Sequence, residues 1–210
     1  MYVSNVRVQI SDITPCLHTS IMATDLTAGK ELPLNGFSPG MIIAFKSDKL
    51  DLMLSRDKGQ VSVNPRMDLY LCNINNDIIL RITIFKGKNK IFFNDRVDKS
   101  LLDGWGQEKY VELSQVDVNK WQVSGVTISV HNCSTSSKEQ YHILFDLTTI
   151  YHVDKHFPGP AIKIKYSAEP PYKSDSGIPA HSILSDPLRV FTYHLDDLPL
   201  TEKRSVQSGG

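Results

Sequence analysis

The sequence predicts an all-β domain, and within that class a two-sheet antiparallel β-sandwich, on three observations. Apolar residues recur with period two along most of the chain, no stretch carries the 3.6-residue period of a long amphipathic helix, and Gly- or Pro-bearing turns separate the apolar runs. Ten or more short strands with this spacing are what a sandwich or barrel needs, and a sandwich is the expected form.

The elements follow in order. Val6, Val8 and Ile10 alternate with Arg7 and Gln9; Met41–Phe45, Leu50–Leu54 and Leu69–Leu71 come next. The clearest pair is 78–85 and 90–95, joined by the Gly-containing segment 86–90 of hairpin length. Val126–Val130, Tyr141–Leu147, Ala161–Tyr166 and Leu188–Tyr193 complete the strands, with turn chemistry at Asn35-Gly36, Pro39-Gly40, Asp103-Gly104 and Pro158–Pro160. In strand 78–85 alternation puts Ile78, Leu80, Ile82 and Ile84 toward the core and leaves Ile79, Arg81, Thr83 and Phe85 on the solvent-facing side. On strand 90–95 Phe92 and Asn94 share one face, Ile91 and Phe93 the other.

The organisation expected is a single domain over 1–203, with insertions near 55–66 and 169–186 and a disordered polar tail at 204–210. The second insertion clusters Pro170, Pro171, Ser174, Ser176, Gly177 and Pro179, which cannot bury much. No 20–50-residue repeat appears.

Composition narrows function. The 210 residues hold 23 Lys+Arg and 23 Asp+Glu, a formal net charge of zero, which argues against a general nucleic-acid or anionic-membrane binder. No run reaches the ~18 apolar residues of a membrane-spanning helix, so no membrane insertion is expected. The first ten residues lack a basic start and an apolar stretch and do not read as a signal peptide, so a cytoplasmic location is expected. Cys16, Cys72 and Cys133 are odd in number and widely spaced, and read as reduced thiols.

The residues that invite an enzymatic or metal reading do not carry one. His152 and His156 lie in a strand-and-turn region ending at Pro158, and His131 with Cys133 has no second pair. Asp146 and Asp196-Asp197 offer no paired-carboxylate geometry. A nucleophile elbow, a phosphate loop and a dinucleotide fingerprint are all missing. Neither catalytic residues, nor a metal, nor a cofactor is expected. Asn132-Cys133-Ser134 has the form of a glycosylation acceptor that goes unused without secretion.

One stretch points further. Leu69–Phe85, then Lys90-Ile-Phe-Phe-Asn-Asp-Arg96, then Gly104-Trp-Gly-Gln-Glu-Lys-Tyr110 resembles the central strands of galectins, in which an Asn-bearing strand precedes Trp-Gly-x-Glu-x-Arg. Asn35–Phe45 resembles the early Pro-Gly-Met strand, Tyr141–Ala161 the later strands, and Leu188–Leu198 the closing strand. The likeness spans roughly 25–203, and the short turn at 86–90 is nearer fungal galectins than vertebrate ones. Asn64-Pro65-Arg66 copies a galectin tripeptide but stands too early, and reads instead as a turn into the strand at 67–72.

The resemblance implies a galectin-like jelly roll and a carbohydrate site at Arg81, Thr83, Phe85, Asn94, Trp105, Glu108 and Tyr110. Asn94, Trp105 and Glu108 keep the family's residue types. Arg81, Thr83 and Phe85 stand where the family has His, Asn and Arg, and Tyr110 replaces the closing Arg. Trp105, flanked by Gly104 and Gly106, offers a platform for the C–H face of a pyranose. Arg81 donates but cannot accept, Phe85 makes no bidentate contact, and Glu108 loses the closing Arg that would orient it. The function expected is a lectin with altered glycan specificity and weak or absent lactose binding, its partner a glycan or glycoconjugate. The alternative is a galectin-fold protein-interaction module that has lost sugar binding. The family also admits homo-oligomers and leaderless export to the extracellular space.

Overall fold

The computed structural model describes residues 23–52, 66–85, 88, 90–96, 106–113, 125–146, 148–157, 159–169 and 183–197. These form β1 (Thr24–Leu26), β2 (Glu31–Pro33), β3 (Met41–Ser47), β4 (Arg66–Cys72), β5 (Ile78–Phe85), β6 (Lys90–Arg96), β7 (Lys109–Glu112), β8 (Val126–Asn132), β9 (Gln140–Phe145), β10 (Thr148–Asp154), β11 (Lys163–Glu169) and β12 (Leu188–His194), followed by a 3-10 turn at Leu195–Asp197. They assemble into two antiparallel six-stranded sheets, β1-β12-β3-β8-β9-β10 and β2-β11-β4-β5-β6-β7. The two-sheet antiparallel sandwich predicted from the alternation is the fold observed.

Each sheet turns one row of alternating apolar side chains inward. Ile43, Phe45, Ile128, Val130, Ile143 and Phe145 come from the first sheet, and Met67, Leu69, Leu71, Ile82, Ile84, Ile91, Phe93 and Ile164 from the second. Phe93 of β6 stacks on Tyr151 of β10 with ring centroids 4.6 Å apart, joining the two layers near their edge. Gly40 at φ 83° occupies the left-handed region, and a Cβ there would lie 2.7 Å from the His194 ring, so the turn before β3 needs glycine.

The structure corrects four expectations. In β5 the ladder slips at its start: Cys72 pairs with Ile78, whereas Leu71 already pairs with Leu80. This bulge puts Ile79 and Leu80 together in the core and leaves Ile78 half-buried, so the predicted row Ile78–Leu80–Ile82–Ile84 becomes Ile79–Leu80–Ile82–Ile84. Leu50–Leu52 forms no strand: Leu50 is buried, and the Asp51 N–H donates to the Ile183 carbonyl at 2.8 Å, so this segment bridges to the stretch that leads into β12 instead. The end of the 169–186 segment is likewise not a free loop, because Ile183 and Leu184 are buried in the core and Glu169 still pairs with Arg66 in the sheet. β10 went unassigned because a bulge between Thr149 and Tyr151 breaks its alternation. Residues 1–22, with the predicted Val6–Ile10 strand, most of both insertions and the 204–210 tail lie outside the described residues.

Candidate functional site

The outward face of the second sheet carries the residues singled out by sequence. Arg81 pairs with Asn94 across β5–β6, Thr83 with Phe92, and Phe92 with Tyr110 across β6–β7. The alternation argument therefore holds from Leu80 onward, and five of the seven predicted residues (Arg81, Thr83, Phe85, Asn94 and Tyr110) share this face. Glu108 is exposed in the short stretch Gly106–Glu108 leading into β7. Trp105 lies outside the described residues.

At the centre of this face sits a residue that sequence reasoning missed. Asp68 of β4 is fully buried, and its Oδ1 accepts from Thr83 Oγ1 at 2.5 Å and from Arg81 Nε at 2.8 Å. Arg66 Nε lies 3.2 Å from Oδ2, an ion pair without hydrogen-bond alignment. The register explains the meeting: Asp68 stands directly opposite Thr83, and Arg81 is paired with Tyr70, two residues along β4. A buried carboxylate without cations or donors would be costly, so the two arginines and the hydroxyl form one unit with it. Burial, with the Asp68 charge next to it, pushes the Tyr70 phenol up to about 12.

This network revises the expectation for Thr83, which is only 3% exposed and therefore does not face solvent. Its hydroxyl proton points to Asp68, and so does one donor of Arg81, whose side chain is 12% exposed. Asn94 turns its side-chain oxygen to the Asp95 backbone N–H at 2.8 Å. The polar groups expected to meet sugar hydroxyls thus hold one another.

The apolar side of the face is more open. Phe85, Phe92 and Tyr110 form a continuous row over three strands, with ring centroids 5.3 Å and 6.0 Å apart. Tyr110 is 51% exposed. Lys88 Nζ lies 4.2 Å from the Phe85 ring centroid and 5.5 Å from that of Phe92, and Lys90 Nζ lies 3.7 Å from that of Tyr110.

The entry to β7 is held from the other sheet. The Gly106 N–H donates to the Asp95 carbonyl at 3.0 Å, and a Cβ on Gly106 would fall 2.0 Å from Asp95 Oδ1. Asp95 Oδ2 accepts from His156 Nδ1 at 2.5 Å, just beyond β10. His156, weighed as a metal ligand from its spacing to His152, instead braces the carboxylate beneath the residue that follows Trp105. Elsewhere His131, His142 and His152 stand opposite one another on β8, β9 and β10, the last two rings stacked at 4.0 Å. Among the described residues, no group of three or more His, Cys, Asp or Glu is arranged to hold a metal ion. Cys72 and Cys133 are free thiols, and Cys16 lies outside the described residues.

No family model matches the chain. Among solved structures it is similar to Xenopus laevis galectin-Ib, at 10% identity and a TM-score of 0.51, covering 79% of this chain and 100% of that one. A toad ovary galectin in complex with N-acetylgalactose gives 13% identity and 0.49, covering 80% and 99%. Caenorhabditis elegans galectin LEC-6 gives 13% and 0.48, covering 81% and 94%. Identities this low speak for fold alone. The Xenopus match, together with two six-stranded antiparallel sheets, makes this a galectin-like jelly roll.

Proposed function

We propose that this chain is a galectin-like carbohydrate-binding lectin, a binding protein rather than an enzyme, with a specificity moved away from plain β-galactosides. The observation that carries the reading is the row Phe85–Phe92–Tyr110 across three adjacent strands. Aromatic rings side by side on a half-exposed sheet, edge-on between Phe85 and Phe92 and tilted between Phe92 and Tyr110, give apolar contact to the C–H faces of sugar rings, with Asn94 and Glu108 supplying polar contacts and Trp105 the further platform its Gly-flanked sequence context implies. Arg81 and Thr83 then act through Asp68, keeping the strand surface rigid instead of meeting hydroxyls themselves. The short turn at 86–90 supports placing the chain nearer the fungal galectins, as one domain over 1–203.

A second reading has its own observation. Because Asp68 takes up Thr83 and Arg81, and the Asn94 side-chain oxygen accepts from the Asp95 backbone N–H, the face also suits a protein partner that covers the aromatic row without hydroxyl recognition. A glycan array separates the two. Wild type should bind a defined set of oligosaccharides, and Trp105→Ala and Phe92→Ala should each abolish binding with the melting temperature of Phe92→Ala reported alongside. An array blank for wild type, at high protein concentration, would favour the protein-interaction reading.

A further inference from the structure

We infer that the glycan class this face takes is anionic: a saccharide bearing a sulfate ester or a uronate carboxylate. The inference rests on the lectin reading and names its ligand. Two ammonium groups stand directly over the aromatic row, Lys88 above Phe85 and Phe92, and Lys90 above Tyr110. Lys88 has no carboxylate partner among the described residues, and Lys90 has only Glu112 at 3.9 Å, the long limit of an ion pair. Both cations stand against ring faces, and each has donor capacity left over.

A neutral sugar is poorly served by such a surface. Its hydroxyls need acceptors as well as donors, and the carboxylate at the centre of the face, Asp68, is fully buried and committed to Arg66, Arg81 and Thr83. An anionic substituent needs donors alone. With its ring lying along Phe92 and Tyr110, a sulfate or carboxylate at the ring edge reaches the lysine ammonium groups and makes charge-assisted bonds, roughly twice as strong as neutral ones. Since the whole chain is neutral, this local excess marks the face and not the protein at large.

The test uses the full chain and three forms of one oligosaccharide backbone: neutral, sulfated and uronate-bearing. Affinities are measured by calorimetry at low and high salt for wild type and for a Lys88→Gln, Lys90→Gln double variant whose fold is checked by thermal melting. The expected result is at least tenfold tighter binding of one anionic form than of the neutral form. That ratio should shrink with added salt and fall to within about twofold in the double variant. The stronger of the two anionic forms identifies the substituent. Equal affinity for all three forms, or a preference that survives the double variant, would overturn the inference while leaving the lectin reading in place. Failure of every form to bind wild type would overturn both. Displacement by inorganic sulfate at the same concentration as the sulfated sugar would overturn the saccharide assignment.

Discussion

Thr83 Oγ1 and Asp68 Oδ1 lie 2.5 Å apart across the β4–β5 ladder, both buried, and this contact ties a candidate ligand residue to the sheet beneath it. Asp68→Ala removes a carboxylate shared by two arginines and a hydroxyl. Allowing for the partial exposure of Arg66 and Arg81, a loss of about 3 kcal/mol is expected in urea denaturation. Thr83→Val, which removes one donor at similar volume, should cost about 1 kcal/mol.

Lactose should bind weakly or not at all, and calorimetry at millimolar sugar should show little heat. The donors nearest the expected galactose position serve Asp68. Restoring the family residues by Arg81→His, Thr83→Asn, Phe85→Arg and Tyr110→Arg would break this unit, taking from Asp68 the Thr83 hydroxyl and the Arg81 guanidinium and leaving it Arg66. The quadruple variant should therefore be destabilised and still pass through lactose-agarose unless Asp68 is changed with it. A dissociation constant in the low micromolar range for wild type would refute the assignment of Arg81 and Thr83 to Asp68.

Gly106→Ala should impair glycan binding more than it impairs folding. The added Cβ would stand 2.0 Å from Asp95 Oδ1, and Asp95 cannot swing freely because His156 holds its other oxygen. The backbone next to Trp105 must give way, at a cost of about 1–3 kcal/mol in stability. His156→Ala in the same background should recover part of the loss by releasing Asp95, read as affinity on the array.

Stability should fall as the solution is acidified through the histidine range. Burial first, and then the neighbouring His142, lower the His131 pKa to about 4; burial, His152 and Lys138 lower that of His142. A histidine whose folded pKa is depressed binds fewer protons in the native state than in the unfolded state, so stability rises with pH across that window. The contribution is full above the unfolded value of about 6.5 and is lost as pH falls toward about 4, with His131 contributing about 3 kcal/mol at most. Urea midpoints measured between pH 7 and pH 4 should show this slope, and His131→Gln should flatten it.

The bulge at the start of β5 makes a prediction opposite to simple alternation. Ile79→Ala should cost about 2–5 kcal/mol and Ile78→Ala less than about 1 kcal/mol, measured by thermal or urea unfolding. The reverse order would mean that the ladder is regular.

Period-two alternation made the sandwich legible because it reports which side of each strand is dry, and over Leu80–Phe85 and Ile91–Asn94 it predicted each side chain's face correctly apart from the burial of Thr83. It failed where the backbone adds a residue, at Ile79 and at Thr149–Tyr151, since a bulge reverses parity without altering composition. Three-residue strands such as β1 and β2 are too short to show alternation. Of the candidate site, the shared face of Arg81, Thr83, Phe85, Asn94 and Tyr110 was legible in the sequence. The partners of Arg81 and Thr83 were not, because both bond Asp68, which comes into range only once β4 and β5 are in register. The sequence did hold a clue: Asp68 is the one charged residue in the apolar run 67–72, and folding the loop at 73–77 into a turn brings it opposite Thr83.

Residues 53–65 join Leu52 to Arg66, and residues 170–182 join Glu169 to Ile183. The anchors adjoin at both ends, through Asp51–Ile183 and Arg66–Glu169. Two stretches over a hundred positions apart in sequence thus share their points of departure and arrival. For protein engineering these are neighbouring ports: a peptide grafted at one has the native or replaced segment of the other beside its attachment points, so libraries should vary both jointly. Reporter groups placed one in each stretch would start from fixed, adjoining roots.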